Sequence, residues 1–271
     1  NIFTLYYTGT QNESLTIIPF LKNINSIQNI GYLSNNEIQF LDYDQELSSL
    51  GIIIPLKQYG FMSYSYNKQT NKYQDLTNLN NNLMYYSIKL DLDQLDNKLI
   101  PEDGYHIIFN YDSAIDEDSD LDYSNLNLYF NFYKTFNENH TLRLYNIYNK
   151  SLGNTPFHLN SFYGGYDCFI GYNEFDLPHN KLKSVGLEYQ YHYKNSTTFR
   201  FMFNKITYID FQNFESSENS IKQLPFSYGI GITLKSILGP INFIWGRGIK
   251  NPYLIGDVKQ NIFYFNFGVK Y

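Results

Sequence analysis

The chain has 271 residues, of which 43% are hydrophobic and 17% charged, and this composition excludes an intrinsically disordered tail. Its formal net charge of -6 argues against a nucleic-acid partner, because such a partner requires a basic face. No run of 18 apolar residues occurs, so a transmembrane helix is excluded. A membrane β-barrel is not excluded, since each of its strands needs only about 9 to 11 residues to cross the membrane.

Aromatic residues make up 19% of the chain, with 28 Tyr and 22 Phe, although the mean hydropathy is only -0.40. Many aromatic side chains within a polar average indicate that apolar and polar residues alternate, which is typical of strands. No segment shows a helical period. The single Cys168 excludes an internal disulfide, and its neighbourhood favours a small buried residue over a redox role.

In chain order, the first 56 residues contain short apolar pieces that can be divided into strands in several ways. Clear alternation follows from residue 104 onward. In VGLEYQYHYK, for example, Val185, Leu187, Tyr189, Tyr191 and Tyr193 share one face. The other alternating segments are 104–112, 125–134, 197–204, 226–235, 240–248 and 261–271. Tyr and Phe dominate the apolar faces, as in the aromatic girdles of a membrane barrel; a water-soluble sandwich is the alternative.

Long polar loops alternate with short turns between these segments. The predicted long loops are 67–82, 113–125, 150–183, 211–225 and 247–261, and the short turns are 135–140, 194–198 and 235–240. This order predicts extracellular loops, periplasmic turns and a periplasmic C-terminus. We therefore predict an all-β fold: residues 1–271 form a single antiparallel transmembrane β-barrel domain in the bacterial outer membrane. Closure requires an even number of strands, 16, with 14 as the alternative.

The last third of the chain carries an ordered set of motifs. GGYDCFIGY at residues 164–172 is followed by VGLEYQYHYK, by YGIGITLKSILGPINFIWGRG and by the terminal FYFNFGVKY. In order and spacing, this set resembles the end of the BamA/TamA-like outer-membrane barrels, also called surface-antigen barrels, over about residues 157–271. The resemblance implies a periplasmic turn at Leu238, Gly239 and Pro240. It also implies a long extracellular loop folded into the lumen, with the motif residues Gly164, Gly165, Phe169, Ile170, Gly171 and Tyr172.

The chain departs from this family at two linked positions. Ile170 stands where the family has a lumen arginine, and Asn204 stands where the family commonly has the aspartate that pairs with it. Losing both together is physically coherent, because an unpaired charge in a narrow lumen costs roughly several kcal/mol. Glu188 matches the family's glutamate on the strand after the loop, and Arg200 on the next strand is the partner we predict for it.

The resemblance implies a barrel that inserts other barrels, secretes a partner protein or carries its own passenger. Because the motif arginine is missing and the chain is short for an insertase, we favour the barrel of a patatin-like phospholipase autotransporter, a type V secretion system. It would display or secrete a covalently linked passenger that lies upstream of Asn1. The alternatives are a BamA/TamA-like assembly or translocation factor and, further, a porin. The implied partners are outer-membrane lipid, lipopolysaccharide and the barrel-assembly machinery; the oligomeric state stays open.

We predict no catalysis, cofactor or metal in this chain itself. No Gly-x-Ser-x-Gly, His-Glu-x-x-His or phosphate-binding glycine loop occurs, and the five His residues are scattered. A barrel lipase is the enzymatic alternative. The acidic run from Asp116 to Asp120 resembles the start of a calcium loop, but Leu121 replaces the required Gly and Asn127 the required Glu, so a solvated loop is favoured.

The terminal segment is predicted to be the last strand of the barrel. An aromatic C-terminus after alternating aromatic residues resembles the signal by which outer-membrane barrels are recognised for assembly. On the other face, Gly268 is interpreted either as a bend that loosens the seam between the last and first strands or simply as a small lumen-facing residue. The residues predicted for this seam and assembly signal are Phe263, Phe265, Phe267, Gly268 and Tyr271.

Overall fold

Antiparallel strands form almost all of the chain that the computed structural model describes. The described residues are 2–6, 17–34, 37–73, 80–115, 119–153, 161–174, 176–194, 196–210, 224–237, 239–249 and 259–268. The strands are β1 (Ile2–Tyr6), β2 (Ile18–Ser34), β3 (Glu37–Pro55), β4 (Gly60–Tyr73), β5 (Asn81–Asp93), β6 (Gly104–Ala114), β7 (Tyr123–Phe136), β8 (His140–Gly153), β9 (Ser161–Tyr163), β10 (Leu177–His179), β11 (Lys181–Tyr193), β12 (Thr197–Asp210), β13 (Phe226–Ser236), β14 (Gly239–Ile249) and β15 (Lys259–Phe267).

Thirteen of these strands belong to one sheet. Its order follows the chain from β1 to β8 and then from β11 to β15, while β9 pairs only with β10. The all-β antiparallel prediction is therefore confirmed. Neither 16 nor 14 strands are found within the described residues, and pairing of the first strand with the last stays a prediction. In the same part of the chain, no helix is long and apolar enough to cross a membrane.

The chain divides into two compact units. Unit 1 comprises Asn1–Asp93, Ile107–Leu128 and Asn149–Asn160, and unit 2 comprises Gln94–His106, Tyr129–Tyr148 and Ser161–Tyr271. Unit 2 contains all the predicted site residues.

Unit 1 corrects one predicted loop. Residues 67–82 were expected to form a long polar loop, but β4 continues to Tyr73 and β5 begins at Asn81, with Asn71 opposite Asn81 in the ladder. The polar side chains of this stretch face each other and form hydrogen bonds: Gln69 donates to Asn71 (2.9 Å), and Asn71 donates to Asn81 (2.8 Å). Because buried amides can satisfy one another in this way, a polar sequence here forms a strand and not a loop.

Along the strands of unit 2, exposed and buried side chains alternate on the faces that the sequence predicted. Along β11, Leu187, Tyr189 and Tyr193 are exposed, whereas Glu188 and Gln190 between them are buried. The same period holds in β12 to β15, where most aromatic side chains are exposed and the alternate positions, which carry polar residues, glycine and a few aliphatic residues, face the other way. The predicted loop 150–183 is shorter than expected at both ends, since β8 continues to Gly153 and β11 begins at Lys181. Unit 2 therefore has an apolar exposed face and a buried face that can hold a loop.

Candidate functional site

Residues 161–179, here called the docked loop, pack against the buried face of unit 2; Phe175 lies outside the described residues. The loop begins with β9, returns through β10 and contains a tight turn between them. In this turn, the amide of Gly165 donates to the carbonyl of Tyr172 (2.9 Å), and the amide of Phe169 donates to the carbonyl of Gly165 (3.0 Å). Its backbone hydrogen bonds give the segment a defined structure.

An apolar cluster anchors the loop. Phe169 and Leu177 are fully buried and Tyr172 is almost so, and all three join Leu182 and Ile206 of the strands. Burying side chains of this size stabilises by about 1.5–3 kcal/mol each. The cluster shows that the loop belongs to the core of unit 2.

Ile170 packs against apolar side chains of the strands. Its side chain is buried and clusters with Met202 and Ile244. A Cβ added at Gly229 would lie 2.6 Å from Ile170 Cδ1, so the absence of a side chain there leaves the space that Ile170 fills. The position where the resembled family has a charged side chain is thus an apolar contact in this protein.

Next to it, the loop and β14 touch backbone to backbone. A Cβ at Gly171 would lie 2.2 Å from the amide nitrogen of Gly248, and a Cβ at Gly246 would lie 2.5 Å from the amide nitrogen of Gly171. Gly171 also has a φ of 77°, which side chains rarely tolerate. Three glycines therefore create a contact that no larger residue could make.

Two tyrosine hydroxyls complete the attachment. Tyr172 donates from its hydroxyl to the carbonyl of Ile249 (2.8 Å), and Tyr264 of β15 donates to the carbonyl of Tyr172 (2.8 Å). The loop is thus bonded to both of the last two strands.

Tyr264→Phe should weaken this attachment modestly. The change removes one hydroxyl and leaves the carbonyl of Tyr172 without this donor, so we expect a loss of about 1 kcal/mol in the free energy of unfolding. Urea unfolding of the refolded protein in detergent measures it. Tyr228→Phe, on the exposed face of β13, is the matched control. Equal stability of the two variants would contradict the role of the hydrogen bond.

A buried ion triad lies on the same face. Glu188 accepts from Arg200 through two contacts, Nε to Oε1 (2.6 Å) and Nη2 to Oε2 (2.9 Å), so the structure brings these two residues together. Arg143 of β8 donates to Glu188 Oε2 as well (3.0 Å). The carboxylate is completely buried, and both guanidinium groups are nearly so. One carboxylate therefore balances the charge of two nearly buried cations.

Arg143 is the site residue that sequence reasoning missed. It also donates to Asn131 (2.9 Å), and its guanidinium lies 4.2 Å from the ring centroid of Tyr145. A signal was present in the sequence, because a single arginine stands between the outward-facing Leu142 and Leu144 of an alternating strand. A charge at such a position requires a partner on the same buried face.

Asn204 links the strands to the docked loop. Its side-chain amide donates to the carbonyl of Cys168 (3.2 Å) and also contacts the hydroxyl of Tyr145. Because Tyr145 stacks against Arg143, polar contacts connect the triad to the loop. The contact that Asn204 makes with the loop is neutral, in keeping with the apolar neighbour Ile170.

Burial also affects the histidine at the end of the loop. His179 is 1% exposed, and one ring nitrogen, Nδ1, lies 3.1 Å from the carbonyl of Leu177. Loss of hydration lowers the pKa of His179 to about 4, from an ordinary value near 6.5. The neutral ring is therefore the form that the docked loop contains at neutral pH.

The lowered pKa of His179 predicts that the folded protein becomes less stable in acid. Since the pKa of His179 is lowered on folding, its contribution to stability is complete above about pH 6.5 and is lost as pH falls toward 4. Between pH 7 and pH 5 we expect a loss of about 2 kcal/mol. Heat-induced unfolding at the two pH values measures it. His179→Phe should reduce the difference and His140→Gln should retain it; an unchanged difference in His179→Phe would contradict the assignment.

The last strand presents its aromatic residues outward. Phe263, Phe265 and Phe267 are 80%, 67% and 52% exposed, the pattern of side chains that require an apolar surrounding. Gly268 follows β15 with a φ of 96°, and its amide donates to the carbonyl of Pro240 (3.1 Å). Tyr271 lies outside the described residues. The roles of these residues in the seam and in assembly stay predictions.

A cavity of about 400 Å³ lies between the docked loop and the strands of unit 2. Arg143, Arg200 and Gln190 line it from the strands, and Tyr166, Asp167 and Cys168 line it from the loop. Burial raises the pKa of the Cys168 thiol, so this cysteine is not an activated nucleophile. Within the described part of the chain, no three His, Cys, Asp or Glu side chains form a possible metal site, and residues 116–118 of the acidic run lie outside that part.

An aromatic exposed face, a polar buried face and a loop docked on that face define the class of outer-membrane β-barrel proteins. The Omp85 superfamily domain matches residues 3–271, so the chain belongs to the Omp85 superfamily. Membership places it among the barrels of the bacterial outer membrane. No curated protein sequence matches the chain significantly.

Its fold is shared by solved structures, among them a BamA and a CdiB. BamA from Haemophilus ducreyi, lacking POTRA domains 1–3, superimposes with a TM-score of 0.76 at 12% identity, covering 97% of this chain and 60% of the other. CdiB from Acinetobacter baumannii gives a TM-score of 0.61 at 10% identity, covering 91% of this chain and 47% of the other. The chain thus spans about half to three fifths of these proteins, and at such identities the likeness shows the fold alone.

Proposed function

We propose that this chain is the translocator and anchor barrel of a larger outer-membrane protein, which carries a covalently linked passenger to the cell surface. The observation that carries the proposal is the docked loop, which occupies the buried face and leaves a cavity of about 400 Å³. A barrel whose interior holds such a loop is suited to controlled passage of a passenger. In this proposal the short turns and the C-terminus face the periplasm.

The apolar attachment of the loop favours a translocator over an assembly factor. In the resembled family, the insertases hold the loop through the motif arginine. Here Ile170 and Gly171 hold it through packing, and the arginines of unit 2 that reach Glu188 come from the strands. We infer that the passenger is a patatin-like phospholipase lying upstream of Asn1.

Surface display tests this proposal. The full-length gene would be expressed in a Gram-negative host, and the passenger would be probed with a protease added outside intact cells. The proposal expects cleavage of the passenger when the barrel is present and none when residues 164–271 are deleted. A matched control adds the protease after the outer membrane is permeabilised, so that absence of the passenger is distinguished from failure to display it.

Three outcomes would overturn parts of the proposal. An upstream sequence without a Gly-x-Ser-x-Gly nucleophile elbow would exclude a patatin-like passenger. Loss of several unrelated outer-membrane barrels on depletion of this protein would favour the BamA/TamA-like assembly role. A wide, steady single-channel conductance of the purified protein would favour the porin.

A further inference from the structure

A second loop lies at the other end of the strands of unit 2, opposite the docked loop. Residues 94–103, here called the turn-side loop, connect β5 to β6. The other connections at this end of unit 2 are 137–139, 194–196 and 237–238, so the turn-side loop is far longer than these turns. The sequence reasoning did not identify this segment. A long loop among short turns requires an explanation.

Internal hydrogen bonds give this loop a fixed form. The Asp96 side-chain Oδ1 accepts from the amides of Glu102 (3.0 Å) and Asp103 (3.1 Å). The Asn97 side-chain Oδ1 accepts from the amide of Leu99 (2.8 Å). Such Asx turns fold the loop back on itself. The loop is therefore a defined element and not an open linker.

The turn-side loop borders the cavity. Leu95, Leu99, Ile100 and Pro101 line the same cavity that the docked loop lines through Cys168. The cavity wall also includes residues of β13 and β14, on the far side of unit 2 from β6. The turn-side loop thus reaches across unit 2. The cavity lies between two loops that come from opposite ends of the strands.

Contacts with the strands hold the turn-side loop at two places. On the near side, the Thr135 hydroxyl donates to the carbonyl of Glu102 (2.8 Å), and Lys134 donates to Asp103 (2.9 Å). On the far side, Glu102 Oε1 lies 3.5 Å from Lys235 Nζ and 3.9 Å from His192 Nδ1. Lys235 belongs to β13, so Glu102 spans from the loop to a distant strand.

The two loops are attached with different strength. The docked loop is held by fully buried side chains and by direct backbone contact at Gly171. The side chains of Lys235 and Glu102 are 39% and 34% exposed, and exposed ion pairs are individually weak. The turn-side loop, whose near-side pair of Lys134 and Asp103 is also exposed, is therefore held less firmly than the docked loop, and its far-side contact can break and re-form without disturbing the core.

We propose that the turn-side loop is a releasable plug that closes the cavity from the end of unit 2 where the short turns lie, and that the Glu102 contact with Lys235 is its latch. Release of the latch swings Leu99 and Ile100 away and opens the cavity to that side, while the docked loop stays in place. The plug is independent of the cargo that the barrel carries and of whether it carries any.

The only cysteine of the chain reports on this opening. Cys168 lines the cavity from the docked loop, opposite the turn-side loop, so its modification by a charged maleimide requires the reagent to enter the cavity. Because burial raises the pKa of this thiol, the rate is measured at one alkaline pH for all variants. The full chain in detergent micelles is the sample.

Glu102→Gln should raise the rate of Cys168 modification about fivefold, the effect of one weak ion contact. Lys235→Gln removes the same contact from the other partner and should act in the same direction, so the test survives if one variant fails to fold. Glu138→Gln, in the neighbouring turn 137–139, is the matched control and should match the wild type. Rates equal to the wild type in both latch variants would overturn the plug, and so would an equal rise in Glu138→Gln.

Discussion

Glu188→Gln is expected to lower the free energy of unfolding of this barrel by about 3–5 kcal/mol. The change removes the one carboxylate that faces both Arg143 and Arg200, and it leaves two guanidinium groups buried without a counter-charge. The loss is large because both guanidinium groups stay nearly buried and a neutral amide cannot balance their charge. Urea unfolding of the refolded protein in detergent, followed by the mobility of folded and unfolded forms in electrophoresis, measures it.

Two companion variants make this result specific. Glu174→Gln removes a carboxylate of the docked loop that is exposed, and it should change stability little. Replacing all three members of the triad, with Met for both arginines and Leu for Glu188, should recover most of the loss, since apolar residues can substitute for a buried ion network. A Glu188→Gln protein as stable as Glu174→Gln would show that the triad does not hold unit 2 together.

Gly171→Val should release the docked loop. A β-branched residue at a φ of 77° is strained, and its Cβ would overlap the amide of Gly248 on β14. We expect a destabilisation on the order of 4 kcal/mol, the combined cost of backbone strain and overpacking. Because the loop then leaves the buried face, single-channel recordings should also show a larger conductance than the wild type.

Gly231→Ala is the control for this variant. Its added Cβ would meet Ile244 Cγ1 at 2.9 Å and the carbonyl oxygen of Phe243 at 3.2 Å, so it crowds neighbouring strands, but its φ is not positive and it does not press on the backbone of the docked loop. We expect a smaller loss of stability than in Gly171→Val, and the conductance of the wild type. If Gly171→Val behaved like Gly231→Ala, the backbone contact between loop and strand would not be what holds the loop.

The strands of unit 2 could be predicted from the sequence because alternation is strict there. Each outward-facing Tyr, Phe or Ile of β11 to β14 has a small or polar neighbour, so the period of two is visible without a structure. The same reasoning failed at residues 67–82, where both faces are polar. An amide ladder such as Gln69, Asn71 and Asn81 resembles a loop in composition, and only its hydrogen-bond partners reveal a strand.

The site could be predicted in part, for a related reason. Local motifs pointed to the loop and to Glu188, and the structure brings Glu188 to Arg200. Arg143 and the turn-side loop were missed because their significance lies in contacts across the sheet. Arg143 reaches Glu188 across 45 positions of sequence, and Glu102 reaches Lys235 from a segment with no motif at all. Periodicity describes one strand at a time and carries no information about such partners.

The apolar position of Ile170 has a consequence for the medium in which an outer-membrane protein works. An attachment by an exposed ion pair weakens as salt rises, because ions in solution screen charges over about 10 Å at 0.1 M. Ile170 and the glycines around it make contacts that carry no charge, and Gly171 touches its strand with no solvent between them. Changes in the ionic strength of the surroundings, from fresh water to concentrated brine, therefore leave the hold of these contacts on the loop almost unaltered.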